Sequence, residues 1–142
     1  MPLHLIKLAV GIRDLDHLAE VQDRRATAHD GRARIPVYTR RLPKRGDEIL
    51  DGGSIYWVIK GSVAARQRVL AIDTGTDEEG ESYCTLQLDA DRVPTVPTVH
   101  RPFQGWRYLA PDAAPRDLSD AGGGGGELPA HLAAELRALG LL

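Results

Sequence analysis

The chain has 142 residues and a formal net charge of −2, with 18 Lys and Arg against 20 Asp and Glu. That length suits one ordinary domain, which buries enough surface to fold without a disulfide or a metal. Cys84 is the only cysteine, which excludes an intrachain disulfide and fits a reducing, cytoplasmic setting.

The opening "PLHLIKLAV" has neither a long apolar core nor a cleavage pattern, so it reads as neither a signal peptide nor a membrane span. Its apolar residues from Leu3 to Val10 face both ways, as in a central strand. Asp14 is placed as a helix N-cap, with Leu15, Leu18 and Val21 at helical spacing and an end near Ala26. "TAHDGRAR" reads as a turn-rich connection. Ile35 to Leu42 reads as a strand that Pro36 confines to an edge or starts late. "LPKRGDEILDGG" predicts a short helix, with Pro43 in the first turn and the Gly52–Gly53 pair as a left-handed cap or a point of close backbone approach.

Ser54 to Lys60 is rich in β-favouring residues and predicts a strand that Gly61 interrupts. Ser62 to Asp73 predicts a second strand and Tyr83 to Leu88 a returning one, so Val69 to Leu88 is a hairpin. "VPTVPTVHRP" holds three prolines and predicts an extended, irregular crossing. "FQGWRYL" predicts the last strand, "APDAAPRDLSD" a loop, and "AGGGGGE" a flexible linker. Leu132, Leu136 and Leu139 form a stripe on a final amphipathic helix that Pro129 can start. The division is therefore a domain over residues 1–118, a linker over 119–127 and a tail helix over 128–142.

Charge is unevenly spread. Gly31 to Arg68 carries nine Lys and Arg against three Asp and Glu, a net of +6, whereas Val69 to the end nets −7. A basic middle and an acidic tail point to a local anion site or to neutralisation within the fold.

No catalytic set emerges. His4, His17, His29, His100 and His131 share no metal-ligand spacing, and Cys84 has no His or Cys neighbour, so neither a metal nor a cofactor is expected. Ser54 and Ser62 sit in no nucleophile elbow, and Cys84 reads as a buried, inert thiol. Asp47, Glu48 and Asp51 suit helix capping. The Gly122–Gly126 run lacks the Lys-Ser/Thr of a phosphate loop.

The basic and aromatic residues remain. Arg66 and Arg68 point to one face of a strand, and two guanidinium groups there need carboxylates or an anion between them. Arg is suited to forked contacts with phosphate. Lys44, Arg45, Lys60, Arg66, Arg68 and Arg107 are the candidate anion contacts, with Tyr56 and Trp106 beside them. Trp57 shares a face with Ile55 and Ile59 and is expected in the core. Tyr56 is expected nearer the basic surface, and Trp106 is the candidate stacking platform for a base. The competing expectation is a solvated face neutralised by the acidic half, with both tryptophans in the core.

The segments "LPKRGDEILDGGSIYWVIKGSVAARQR" and "RPFQGWRYL", with the opening "LHLIKLAVG", resemble a family of small bacterial proteins, found mainly in alphaproteobacteria, that is known as a domain of unknown function. The resemblance covers roughly residues 3–118 and implies no activity or catalytic residue. At fold level the chain is also similar to the PUA-like group, with its ASCH and EVE modules, compact curled β-structures that often bind RNA or a modified base. The shared features are five or six predicted strands, a short helix and glycine pair before an aromatic strand, and interleaved Arg and aromatics.

The expected fold is therefore a single α+β domain. Its sheet is mixed or mostly antiparallel and strongly curved, in the manner of a PUA-like pseudo-barrel, with two short helices and a tail helix. The expected function is non-catalytic binding of RNA or another anionic ligand, with no membrane role. The alternative is a protein-interaction or homo-oligomeric adaptor domain, a homodimer included.

Overall fold

The computed structural model describes residues 2–29, 31–101 and 103–121. Its strands are β1 (His4–Leu8), β2 (Thr27–His29), β3 (Arg32–Thr39), β4 (Ser54–Ile59), β5 (Ser62–Thr76), β6 (Ser82–Asp89), β7 (Val93–Val99) and β8 (Trp106–Leu109). The helices are α1 (Leu15–Arg25), α2 (Gly46–Leu50) and the single turn α3 (Leu118–Ala121), with a 3-10 turn at Pro111–Ala113. The strands form one mixed sheet in the order β2-β3-β6-β5-β4-β1-β8. β1 and β4 are parallel and every other pair is antiparallel.

The long strand β5 is the spine. Its first half pairs with β4 on one edge and β7 on the other, and its second half pairs with β6. β6 and β7 thus lie end to end along the same edge of β5. The two ends of the sheet, β2 and β8, do not pair. The sheet is open, and this corrects the expectation of a strongly curved pseudo-barrel: β8 stops at β1 and no strand among the described residues bridges it to β2. The expected linker from Gly122 and the tail helix over 128–142 lie outside the described residues.

Most predicted elements form where the local chemistry places them. Asp14 caps α1, its carboxylate accepting from the His17 backbone N–H at 2.8 Å. Lys60 and Gly61 both have positive φ, +50° and +79°, the signature of the two-residue turn that matches strand twist. Gly52, at φ +97°, provides the left-handed exit from α2. Gly53 is needed for closeness instead: a Cβ there would lie 2.2 Å from the Leu3 carbonyl oxygen and 2.6 Å from that of Ile49.

Two connections turn out to be strands. "TAH" forms β2, paired with the start of β3. The proline-rich crossing forms β7, because β5 is longer than β6 and offers its remaining edge to Val93–Val99. β3 runs through Pro36, at a position where β2 no longer pairs with it, so the missing N–H is not required on that side.

The larger core lies on one face of the sheet. It gathers Leu3, Leu5, Leu18, Ile35, Ile49, Ile55, Trp57, Ile59, Leu86, Leu88 and Trp106. Trp57 is in the core with Ile55 and Ile59, as expected. Gln67, fully buried, organises its polar centre. Its carboxamide oxygen accepts from the Trp57 indole N–H (2.8 Å) and from Gln22 of α1 (2.7 Å), and its amide donates to the Asp89 carbonyl (3.0 Å). The opposite face carries a smaller cluster of Ile6, Tyr56, Val58 and Val63, with Phe103, Leu109 and Ala114 packed against it.

Candidate anion-binding site

The candidate residues divide between the two faces. On the smaller-core face, Arg66 lies opposite Tyr56 and Arg68 opposite Ser54. Arg66 grips Asp117 with both fork nitrogens, at 2.6 and 2.8 Å, and also donates to Ser54 Oγ at 3.1 Å. That pair pins the segment after β8 across this face, where Asp117 also bridges to Thr95 of β7. Arg66 holds the Asp117 carboxyl below the usual carboxylate range, chiefly by this hydrogen bond.

Beside it, His4 Nδ1 accepts from the Ser54 backbone N–H at 3.0 Å, and the imidazole meets the Tyr56 ring edge-on. Burial and then the Arg66 charge push the His4 pKa down. Tyr56 does not lie at a basic surface as expected: it is 4% exposed, packed into the sheet with burial raising its phenol. Arg68 is exposed, and Lys60 is exposed at the turn. Arg66 and Arg68 therefore share a face, but the Arg66 fork is turned onto the chain's own carboxylate.

Trp106 and Arg107 lie elsewhere, where the end of β3 and the Arg41 loop meet β1 and β8. β1 places Lys7 between Trp57 of β4 and Trp106 of β8 in register, so the three side chains share the large-core face. A hollow of about 370 Å³ opens there, walled by Lys7, Tyr38, Arg40, Arg41, Trp106 and Arg107, with Thr39, Gln104 and Gly105 completing it. Four of these residues are cationic and none is acidic.

Trp106 is the anchor of this end, and its role differs from the one expected. It is 3% exposed. Its indole N–H donates to the Arg41 carbonyl at 2.9 Å, the Arg41 guanidinium lies 4.0 Å over its ring, and Arg41 returns a bond to the Trp106 carbonyl at 2.7 Å. A base cannot stack on a ring that is buried and already covered by Arg41. Two aromatics near it are exposed: Tyr38, 64% exposed and in edge contact with Tyr83, and to a lesser degree Tyr108, which packs edge-on against Trp106.

Around the rim, Arg40 pairs with Asp77 at 2.8 Å across water-exposed surface. Arg107 donates to the Gln104 and Trp106 carbonyls. Arg45 is engaged with Glu48, and its backbone N–H donates to the Tyr108 hydroxyl at 3.1 Å. Lys44 is exposed in the same loop.

Lys7 is the residue that sequence reasoning missed. It is half-buried, and burial lowers its pKa. Among the described residues it forms no ion pair and no hydrogen bond. The signal is present in the sequence: one lysine inside the apolar run "LHLIKLAV" is costly in a central strand unless the charge has a use.

A second hollow, of about 280 Å³, lies between α1 and the sheet and is walled largely by apolar side chains. It shares Lys7 and Tyr38 with the first. Among the described residues no helix is long and apolar enough to cross a membrane.

A search of curated proteins and a search of solved structures each find no match. A family model does match, and it spans residues 5–142, reaching well past the segments that carry the resemblance. The chain belongs to the family described as "Protein of unknown function (DUF1489)".

Proposed function

We propose that the chain is a non-catalytic nucleic-acid-binding module, with single-stranded RNA as its ligand, and that it uses the Trp106 end of the sheet rather than the Arg66 face. The observation that carries this reading is the hollow whose wall holds Lys7, Arg40, Arg41 and Arg107 without a carboxylate. Such a wall attracts phosphate, and guanidinium forks bind it in two-pronged fashion. Tyr38 supplies an exposed ring on which a base can stack. Arg40 remains usable despite Asp77, because an ion pair this exposed contributes little and can exchange for phosphate. Lys44 and Arg45 extend the basic rim along the loop before α2.

The test is fluorescence anisotropy with a labelled oligouridine over a series of salt concentrations. Affinity should fall steeply with salt. The Arg40→Ala/Arg107→Ala change should lower the slope of log K against log salt by about 0.7 for each phosphate that is no longer neutralised. Tyr38→Ala should weaken binding by roughly 1–3 kcal/mol without changing the unfolding midpoint. Absence of binding to any RNA or DNA at low salt would remove this reading and leave the adaptor reading. The adaptor reading draws on exposed Val10, Leu42 and Val99, although scattered apolar residues are ordinary on protein surfaces.

A further inference from the structure

The hollow under α1 is a different kind of space from the basic rim beside it. Ile12, Leu18, Val21, Ile35, Val37 and Trp57 make its apolar wall. Its polar groups are Lys7, Gln22, Arg25 and the Tyr38 hydroxyl, with no acidic side chain in the lining. Gln22 is committed to Gln67 and Arg92. Among the described residues, neither Lys7 nor Arg25 has an ion-pair partner.

We propose that this hollow binds a small organic acid, with its apolar body between α1 and the sheet and its carboxylate on Lys7. Three arguments lead there. The space of about 280 Å³ is a cleft partly open to water, with a helix on one side and its sheet on the other, and concave, mostly apolar clefts with a few polar groups are where small ligands are held. Its volume corresponds to about nine waters at about 30 Å³ each, which fits an acid of about six to eight carbons. Its charge balance calls for an anion, and a single half-buried ammonium, a compact point charge, suits a monoanion. A doubly charged head group would bring a second charge into apolar surroundings without a second buried partner. The lowered pKa of Lys7 agrees with a cation held away from water and lacking its counter-ion.

This inference does not use the nucleic-acid reading, and either can fail alone, since the titration below contains no RNA. Methyl-detected NMR on the full chain, titrated with hexanoate and separately with 1-hexanol, tests it. A ligand this small binds in the millimolar range. Hexanoate should shift the methyl signals of Ile12, Val21 and Val37 saturably. The alcohol should bind about tenfold more weakly, because it forgoes a bond to a charged group.

Lys7→Met should erase that preference while the protein stays folded, and should raise the unfolding midpoint because an unpaired cation leaves the sheet. Equal binding of acid and alcohol overturns the proposal, as does a preference that survives Lys7→Met. Shifts confined to residues outside the hollow overturn it too.

Discussion

Gln67→Leu tests how the core is held. The swap nearly conserves volume and puts an apolar side chain at a fully buried position. Hydrophobicity alone therefore predicts a gain of about 1–2 kcal/mol. The structure predicts a loss. Three groups lose their partner: the Trp57 indole N–H, the Gln22 amide and the Asp89 carbonyl. Trp57 and Gln22 are at most 5% exposed, so water cannot substitute for what is removed.

Each orphaned buried group costs about 1–3 kcal/mol. Asp89 is half-buried, so water can reach its carbonyl, and the two buried donors set the cost. Against the apolar gain the net destabilisation centres on about 2–3 kcal/mol, or roughly 6–9 °C in midpoint for a domain of this size. Urea unfolding should show a lower midpoint with an unchanged slope, because the surface exposed on unfolding is nearly the same. The double change Gln22→Leu/Gln67→Leu should cost less than the sum of its parts, since the Gln22 amide is then no longer orphaned. A Gln67→Leu midpoint equal to or above the parent would refute the reasoning and reduce the network to ordinary packing.

The strands with dense β-favouring composition are legible in the sequence, as is the capped first helix, because local chemistry and tertiary need agree there. Asp14 satisfies a helix N–H whatever surrounds it, and "SIYWVI" suits a strand buried on both faces. β7 is not legible, because Pro94 and Pro97 argue against a strand. What makes it one is the unclaimed edge of β5, a property of another segment. The site divides in the same way. That Arg66 and Arg68 share a face follows from strand alternation. That Asp117, 51 residues away in sequence, closes on Arg66 does not follow from any local pattern. The neighbours Gly105 and Arg107 point Trp106 to the surface, but on an edge strand the next layer decides. That layer is the Arg41 loop. Lys7 can be found from sequence, as a charge out of place in an apolar strand.

The structure makes three further predictions. Trp106→Ala should destabilise by about 3–5 kcal/mol and release Arg41; a loss below about 1 kcal/mol in urea unfolding, the size of an ordinary surface change, would return Trp106 to the surface. Gly53→Ala should cost about 3 kcal/mol, since its Cβ meets backbone oxygens that cannot swing aside, whereas Gly61→Ala, in open space at φ +79°, should cost about 1 kcal/mol; equal urea midpoints for the two variants would refute this. The last concerns acid. His4 and Asp117 both have folded pKa values below their ordinary ones, so the unfolded chain binds more protons and stability must fall as pH falls. The His4 contribution begins to be lost below about 6.5, its unfolded value, and is gone once pH has dropped through its folded pKa. Protonating Nδ1 also breaks the bond from the Ser54 N–H. The Asp117 contribution begins to be lost below about 3.9, and with it goes the pair that holds the segment after β8 on the sheet. Urea midpoints measured from pH 7 to 3 should therefore decline in two windows, with His4→Gln flattening the upper one and Asp117→Asn making the lower one shallower, the rest of it belonging to Glu48 and Asp77, which Arg45 and Arg40 hold below their ordinary range. A parent midpoint that stays level from pH 7 to 5 would mean that His4 carries a proton as readily in the fold as outside it, and that the Ser54 contact does not constrain the ring.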